Sequence, residues 1–213
     1  MAVLELDPPT TTEDVGKDIL ESGMRLTREE FHRRYEHLDG ITAELINGVV
    51  FLASPVRNDV HGFPHANLMW WLNSYRVRRP HLIIGDNSSV MLSDDSEVQP
   101  DAFLMRPADD GGQAQYDTYV YGAPELVCEV AASSAHIDAH DKAEAYAKAG
   151  VREYLLWRTV DRRIDWFELK DGRFVALPVN EGVIESRVFD GLRLDREAML
   201  AGDLAKVLAT LDA

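Results

Sequence analysis

The chain has 213 residues, with 22 Lys+Arg against 37 Asp+Glu and a formal net charge of −15. A hydrophobic share of 46% and a charged share of 28% exclude a disordered or fibrous chain. At about 100–200 residues per domain, the length points to residues 25–213 as one folded domain behind a loosely attached leader, residues 1–24. The single cysteine excludes an internal disulfide and any multi-cysteine metal site and fits a cytoplasmic protein. No signal peptide or membrane span is expected, because the first residues are acidic and lack a long apolar run. The negative charge argues against non-specific nucleic-acid binding through a global basic field.

Thr27 with Glu30 has capping-box spacing, which predicts a helix over 28–37. Two apolar runs around Asn47-Gly48, within 42–53, predict a β-hairpin, since Asn-Gly tolerates the positive φ of a tight turn. Leu68, Trp71, Leu72 and Tyr75 give the next segment, ending near Arg78, a helical apolar face. Strands are expected over 81–92, 98–105 and 126–130, with a polar excursion at 106–120. A helix over 138–149 stops at Gly150. Strands then follow over 151–157, 163–169 and 173–177, with Asp171-Gly172 as a second hairpin turn, and one or two short helices over 195–211. The pattern is mixed α/β.

Four charged residues occupy positions that the local pattern would bury. Glu129 alternates with Leu126, Cys128 and Val130, so it shares the opposite strand face with Val127 and Ala131. A carboxylate there is costly unless a cation or metal meets it. Asp101 precedes the apolar Ala102–Met105, and Glu44 enters the first hairpin. On a helical wheel His140, Asp141, Glu144 and Lys148 form the polar arc, whereas Lys142 falls among the alanines and Tyr146. A lysine facing the sheet needs a carboxylate partner or a chemical role; the plain alternative is that its stem covers apolar surface and its head reaches water. Hard carboxylate oxygens suit Mg²⁺ or Mn²⁺.

The succession Glu44-Leu45-Ile46-Asn47-Gly48, His61, Pro100-Asp101, Ala123-Pro124-Glu125-Leu126-Val127-Cys128-Glu129-Val130, Asp138…Lys142…Tyr146 and Gly150-Val151-Arg152-Glu153-Tyr154 resembles the Uma2 family, also described as DUF820. Val188-Phe189-Asp190-Gly191-Leu192 extends the likeness towards the end of the chain. The resemblance implies an α/β (α+β) restriction-endonuclease-like PD-(D/E)XK core, a mixed central sheet flanked by helices with an added N-terminal hairpin. Pro100-Asp101 then matches the PD of the motif and Glu129 its acidic residue. Ala131 stands where the motif lysine is usually found, and Lys142 matches the helix position that supplies it in this family. Glu44 resembles an additional acidic residue that completes the metal shell. His61, Tyr146 and Asp138 are possible accessory residues.

The implied activity is Mg²⁺- or Mn²⁺-dependent hydrolysis of phosphodiester bonds in DNA, with room for a homodimer. The alternatives are a catalytically silent domain that binds nucleic acid or protein, and hydrolysis of another phosphate ester. His61 and His65 have metal-sharing spacing, but Gly62 excludes the HExxH zinc-protease reading, and a helix-start hydrogen bond is the simpler role for His61. Cys128 reads as a small buried hydrophobe. Of Trp70 and Trp71, at most one faces the core well, and stacking on a flipped or single-stranded base is the alternative to core packing. The Arg76, Arg78 and Arg79 cluster suits a helix C-terminus or a phosphate backbone.

Overall fold

The computed structural model describes residues 19–53, 57–132 and 138–211, and the side chains of Asp138 and Ala139 lie outside the described ones. Most of the leader lies outside them too. Thr27 accepts from the Glu30 N–H at 3.3 Å and starts α1, Arg28–Tyr35. Strands β1 (Ala43–Ile46) and β2 (Val49–Leu52) pair antiparallel. Asn47 and Gly48 between them have φ of 49° and 77°, the two positive values that a two-residue hairpin turn with strand-matched twist requires. A wide π-type turn, Asn58–Gly62, then leads into α2, Phe63–Arg76.

The strand expected over 81–92 is two strands, β3 (Ile83–Asp86) and β4 (Val90–Ser93), lying in different sheets. Asn87, at φ 47°, breaks the extended run between them. The segment 98–105 divides in the same way, into β5 (Ser96–Val98) and β6 (Ala102–Met105). Pro100 lies at the break, where it has no N–H to give to a ladder. Asp101 is thereby placed at the mouth of β6 rather than inside a strand.

The excursion carries β7 (Gln115–Tyr116) and β8 (Val120–Tyr121), and β9 spans Leu126–Ala131. A π-type turn over Asp138–Lys142 opens α3, Ala143–Ala149, which ends on Gly150 at φ 89°. Strands β10 (Glu153–Arg158), β11 (Arg163–Lys170) and β12 (Arg173–Ala176) follow. Strands β13 (Val179–Asn180), β14 (Val183–Glu185) and β15 (Arg193–Asp195) form a small sheet that the sequence pattern did not suggest. These strands are too short for a period to emerge. Helices α4 (Arg196–Ala201) and α5 (Leu204–Leu211) close the described chain.

One six-stranded sheet runs β12-β11-β10-β9-β6-β3, with β9 parallel to β10 and antiparallel to β6. The N-terminal hairpin is not an isolated addition: it forms the edge of a second six-stranded sheet, β2-β1-β5-β4-β8-β7. Two apolar cores flank the first sheet. On one side Leu126, Cys128, Val130 and Trp157 pack with Leu68, Trp71 and Leu72 of α2 and with α4 and the small sheet. On the other, Phe103, Val127, Ala131 and Tyr154 pack with Tyr146 of α3 and with Ile46, Val90 and Val98 of the second sheet. A third cluster holds Phe31 of α1 against Leu45 and Val50. Trp71 is fully buried while Trp70 only edges the core.

Candidate active site

Period-two alternation sends Cys128 into the α2-side core and Glu129 to the opposite face. Glu129 is 3% exposed, as is Lys142. The Lys142 ammonium lies 2.7 Å from Glu129 Oε1 and 3.0 Å from Glu44 Oε1. It does not reach out to water. The wheel reading of this segment holds for the described side chains: Glu144 and Lys148 face solvent, and Ala145 and Tyr146 are buried. The first turn is nevertheless wider than an α-helix.

The Tyr146 hydroxyl donates to Glu129 Oε1 at 2.6 Å. Burial first, then the Glu129 charge, pushes that phenol well above its ordinary value, so Tyr146 remains a proton donor to the carboxylate. Glu44 Oε1 also accepts from the Gln99 backbone N–H at 2.6 Å. Glu44, Glu129, Lys142 and Tyr146 therefore form one contiguous network drawn from β1, β9, the turn after residue 137, and α3.

Asp101 sits beside this network. The pairs Ala102↔Cys128 and Leu104↔Leu126, carried one residue further, set Asp101 opposite Glu129. Its Oδ2 accepts from the Val130 N–H at 2.7 Å, and His61 Nε2 is 3.0 Å from Oδ1. Burial works to raise this carboxyl. The hydrogen bond and charge of His61, the Val130 N–H and the Lys142 charge outweigh burial and hold it below the usual carboxylate range. Asp101 is thus a buried group kept as an anion. His65, one turn after His61, is 2.9 Å from the Asp101 carbonyl oxygen and 3.2 Å from Asp86 Oδ1. The two histidines hold this corner of the fold, and their rings lie 5.8 Å apart.

The sequence pattern did not single out Gln99, whose backbone N–H anchors Glu44; a backbone contact has no residue signature. It also passed over further buried carboxylates, among them Glu125 and Glu153. Glu125 accepts from the Arg106 and Gln113 N–H groups, each at 3.0 Å. Glu153 accepts from Ser186 Oγ at 2.7 Å and from the Arg187 and Val188 N–H groups. Both brace loops away from Lys142 and account for acidic residues that the catalytic reading does not use. Cys128 is buried, and burial, then the neighbouring Glu129 charge, raises its thiol well above the ordinary value, which suits an inert packing residue.

The model of the Uma2 family, described as "Putative restriction endonuclease", matches residues 28–197. The chain belongs to the Uma2 family. A solved structure described as "a putative nuclease belonging to DUF820", from Anabaena variabilis ATCC 29413, is similar to it with a TM-score of 0.64 at 14% identity, covering 83% of this chain and 98% of that one. That likeness shows a shared fold, the mixed α+β restriction-endonuclease-like architecture of the Uma2 proteins. No curated protein matches the chain. No helix among the described residues is long and apolar enough to cross a membrane.

The donor set can be tested against a divalent ion. Among the described residues, no three His, Cys, Asp or Glu side chains converge as a ready-made metal shell. Mg²⁺ does not require one: it is commonly held by one or two carboxylates, with waters and substrate phosphates completing an octahedron. Asp101, at the mouth of β6, and Glu129, in the neighbouring β9, carry the hard anionic oxygens such an ion would take. The residues present fit a Mg²⁺ or Mn²⁺ ion.

Proposed function

We propose that this chain is a metal-dependent nuclease that hydrolyses phosphodiester bonds in DNA. The observation that supports it most is a buried lysine held on Glu129, beside an aspartate that its surroundings keep ionised. Burying three charges together is costly for a fold and useful for phosphoryl chemistry. The description of the Uma2 family points the same way.

In this reading Asp101 and Glu129 hold a Mg²⁺ or Mn²⁺ ion. Such an ion supplies Lewis-acid polarisation of the scissile phosphate and acidifies an attacking water. Tyr146, donating to Glu129 Oε1, fixes the carboxylate's orientation. His61 and the Val130 N–H fix both oxygens of Asp101. Lys142 places a positive charge where negative charge develops on the phosphate, or orients the water that attacks it. Glu44 steadies Lys142 through Oε1, and Oε2, which has no partner among the described residues, is the oxygen left for the ion. Asp138, one turn before Lys142, is an accessory candidate at the mouth of the same helix.

One observation favours a silent binding domain instead: the Lys142 ammonium already bridges Glu44 and Glu129, which neutralises much of the charge that would attract an ion. Metal titration separates the two readings. The nuclease reading expects Mn²⁺ to bind the parent protein and to support cleavage of plasmid or single-stranded DNA. Asp101→Ala and Glu129→Gln should both abolish cleavage while the circular-dichroism spectrum is kept. Full cleavage by either purified variant would sink the assignment. An absence of any Mn²⁺ heat would favour the binding domain.

A further inference from the structure

On the α2 face of the first sheet lies a cavity of about 240 Å³. That is smaller than the roughly 300–1,000 Å³ of pockets that enclose drug-sized ligands, and suits a single planar ring system. Its lining includes Phe63, Asn67, Trp157, Thr159 and Arg162.

The position of the cavity ties it to the proposed chemistry. Its rim includes Asp59 and Val60, which share the π-type turn of His61, the residue that holds Asp101. Across the opening, Thr159 donates from its N–H and Oγ1 to the Ala131 carbonyl at 3.0 and 3.3 Å, two residues beyond Glu129. The carboxylates occupy one face of the sheet and the cavity the other, and the His61 turn and the end of β9 border both.

Three side chains there are suited to a base and have no evident structural duty. Phe63 is 62% exposed, a large apolar ring left in water at the cavity rim, where it offers a stacking face. Asn67 is only 8% exposed, yet its carboxamide makes no hydrogen bond among the described residues. Its amide opens onto the cavity, which leaves a donor and an acceptor ready for a base edge. An asparagine pairs most completely with the N6 and N7 atoms of adenine. Arg162 is exposed and makes no ion pair among the described residues. Its neighbours differ: Arg158 is tied to Asp161 and Asp165, and Arg163 to Asp165.

We propose that this cavity receives one unpaired nucleobase of the strand being cut, with adenine preferred, so that the substrate is single-stranded or locally opened nucleic acid. The proposal rests on the nuclease reading for its orientation but is tested by binding alone. The experiment measures fluorescence anisotropy of labelled ten-nucleotide DNA at low salt, with EDTA present to prevent cleavage. Single strands containing adenine, cytosine or an abasic residue at one position are compared with a matched duplex.

The parent is expected to bind the adenine strand about fivefold or more tighter than the abasic strand, and tighter than the duplex. Phe63→Ala, at an exposed position that the fold does not need, should remove most of that difference. Asn67→Leu, of similar size, should remove the adenine preference while keeping base-dependent stacking. Arg162→Ala should weaken all strands alike, the abasic one included. Equal binding of abasic and intact strands by the parent, or an unchanged Phe63→Ala, overturns the pocket. Base-dependent binding without any metal-dependent cleavage supports the pocket and overturns the nuclease reading. Cleavage that depends on Asp101 but ignores the base and Phe63 overturns the pocket alone.

Discussion

Replacing Lys142 with methionine keeps the length of the side chain and deletes its charge. The ammonium is the cation for Glu129, whose side chain is 4% exposed, and for Glu44, whose side chain is 18% exposed. Breaking a buried ion pair on one side costs about 3–5 kcal/mol, because the remaining charge is left uncompensated. Two features of the site hold the cost down. Tyr146 OH and Gln99 N–H still donate to the stranded carboxylates, and Glu44 is open enough to gain water. The lower end, about 3 kcal/mol, is the expected loss. For a chain of this size each kcal/mol shifts Tm by about 2–4 °C, so Lys142→Met should melt roughly 6–12 °C below the parent.

Thermal and urea denaturation at pH 7 measure this directly. Glu129→Gln combined with Lys142→Met should recover part of the loss, since the double change removes both members of the pair. Mn²⁺ should stabilise Lys142→Met more than the parent, the ion finding two carboxylates without a competing ammonium. A Lys142→Met protein melting within about 2 °C of the parent would refute the view that this lysine is sealed against Glu129, and with it the electrostatic logic of the site.

Three further outcomes are expected. Asp101 is held below its ordinary value, so its ionised form contributes stability that is present above about pH 4 and is lost as pH falls through the lower folded value. His61→Ala should therefore destabilise the protein at pH 6–7, and the gap to the parent should close on acidification in a series of urea melts. Glu97 is raised instead, by burial that its hydrogen bond to His32 only partly offsets. The protonated form is favoured in the fold, so stability falls as pH rises through the window above 4.5; Glu97→Gln should flatten that slope and stabilise the protein by on the order of 1 kcal/mol at pH 8. Gly85→Ala would drive a Cβ into the Phe103 ring, and overpacking of this kind should cost about 1–3 kcal/mol in a chemical melt.

The sequence by itself determined the local events. Thr27 and Glu30 start a helix, Asn47-Gly48 and Asp171-Gly172 turn hairpins, and Gly150 stops the helix that carries Tyr146, because each depends on dihedral preferences within a few residues. The inward face of Lys142 was legible for the same reason: helical periodicity is local, and a lysine among alanines stands out. Only the tertiary structure decided that 81–92 and 98–105 each divide between two sheets. A strand's partner is set by long-range ladders, and a Pro or a positive φ at Asn87 acquires its meaning only when those ladders form. Burial likewise separated the many acidic residues into kinds. Glu125 and Glu153 bind loop N–H groups and Glu97 faces His32, whereas Glu44 and Glu129 meet at one ammonium with Asp101 set beside them. The cavity lined by Asn67 could not be read from the chain at all, since its walls come from α2, β10 and α4, which share no sequence proximity and meet only because the α2-side core draws them together.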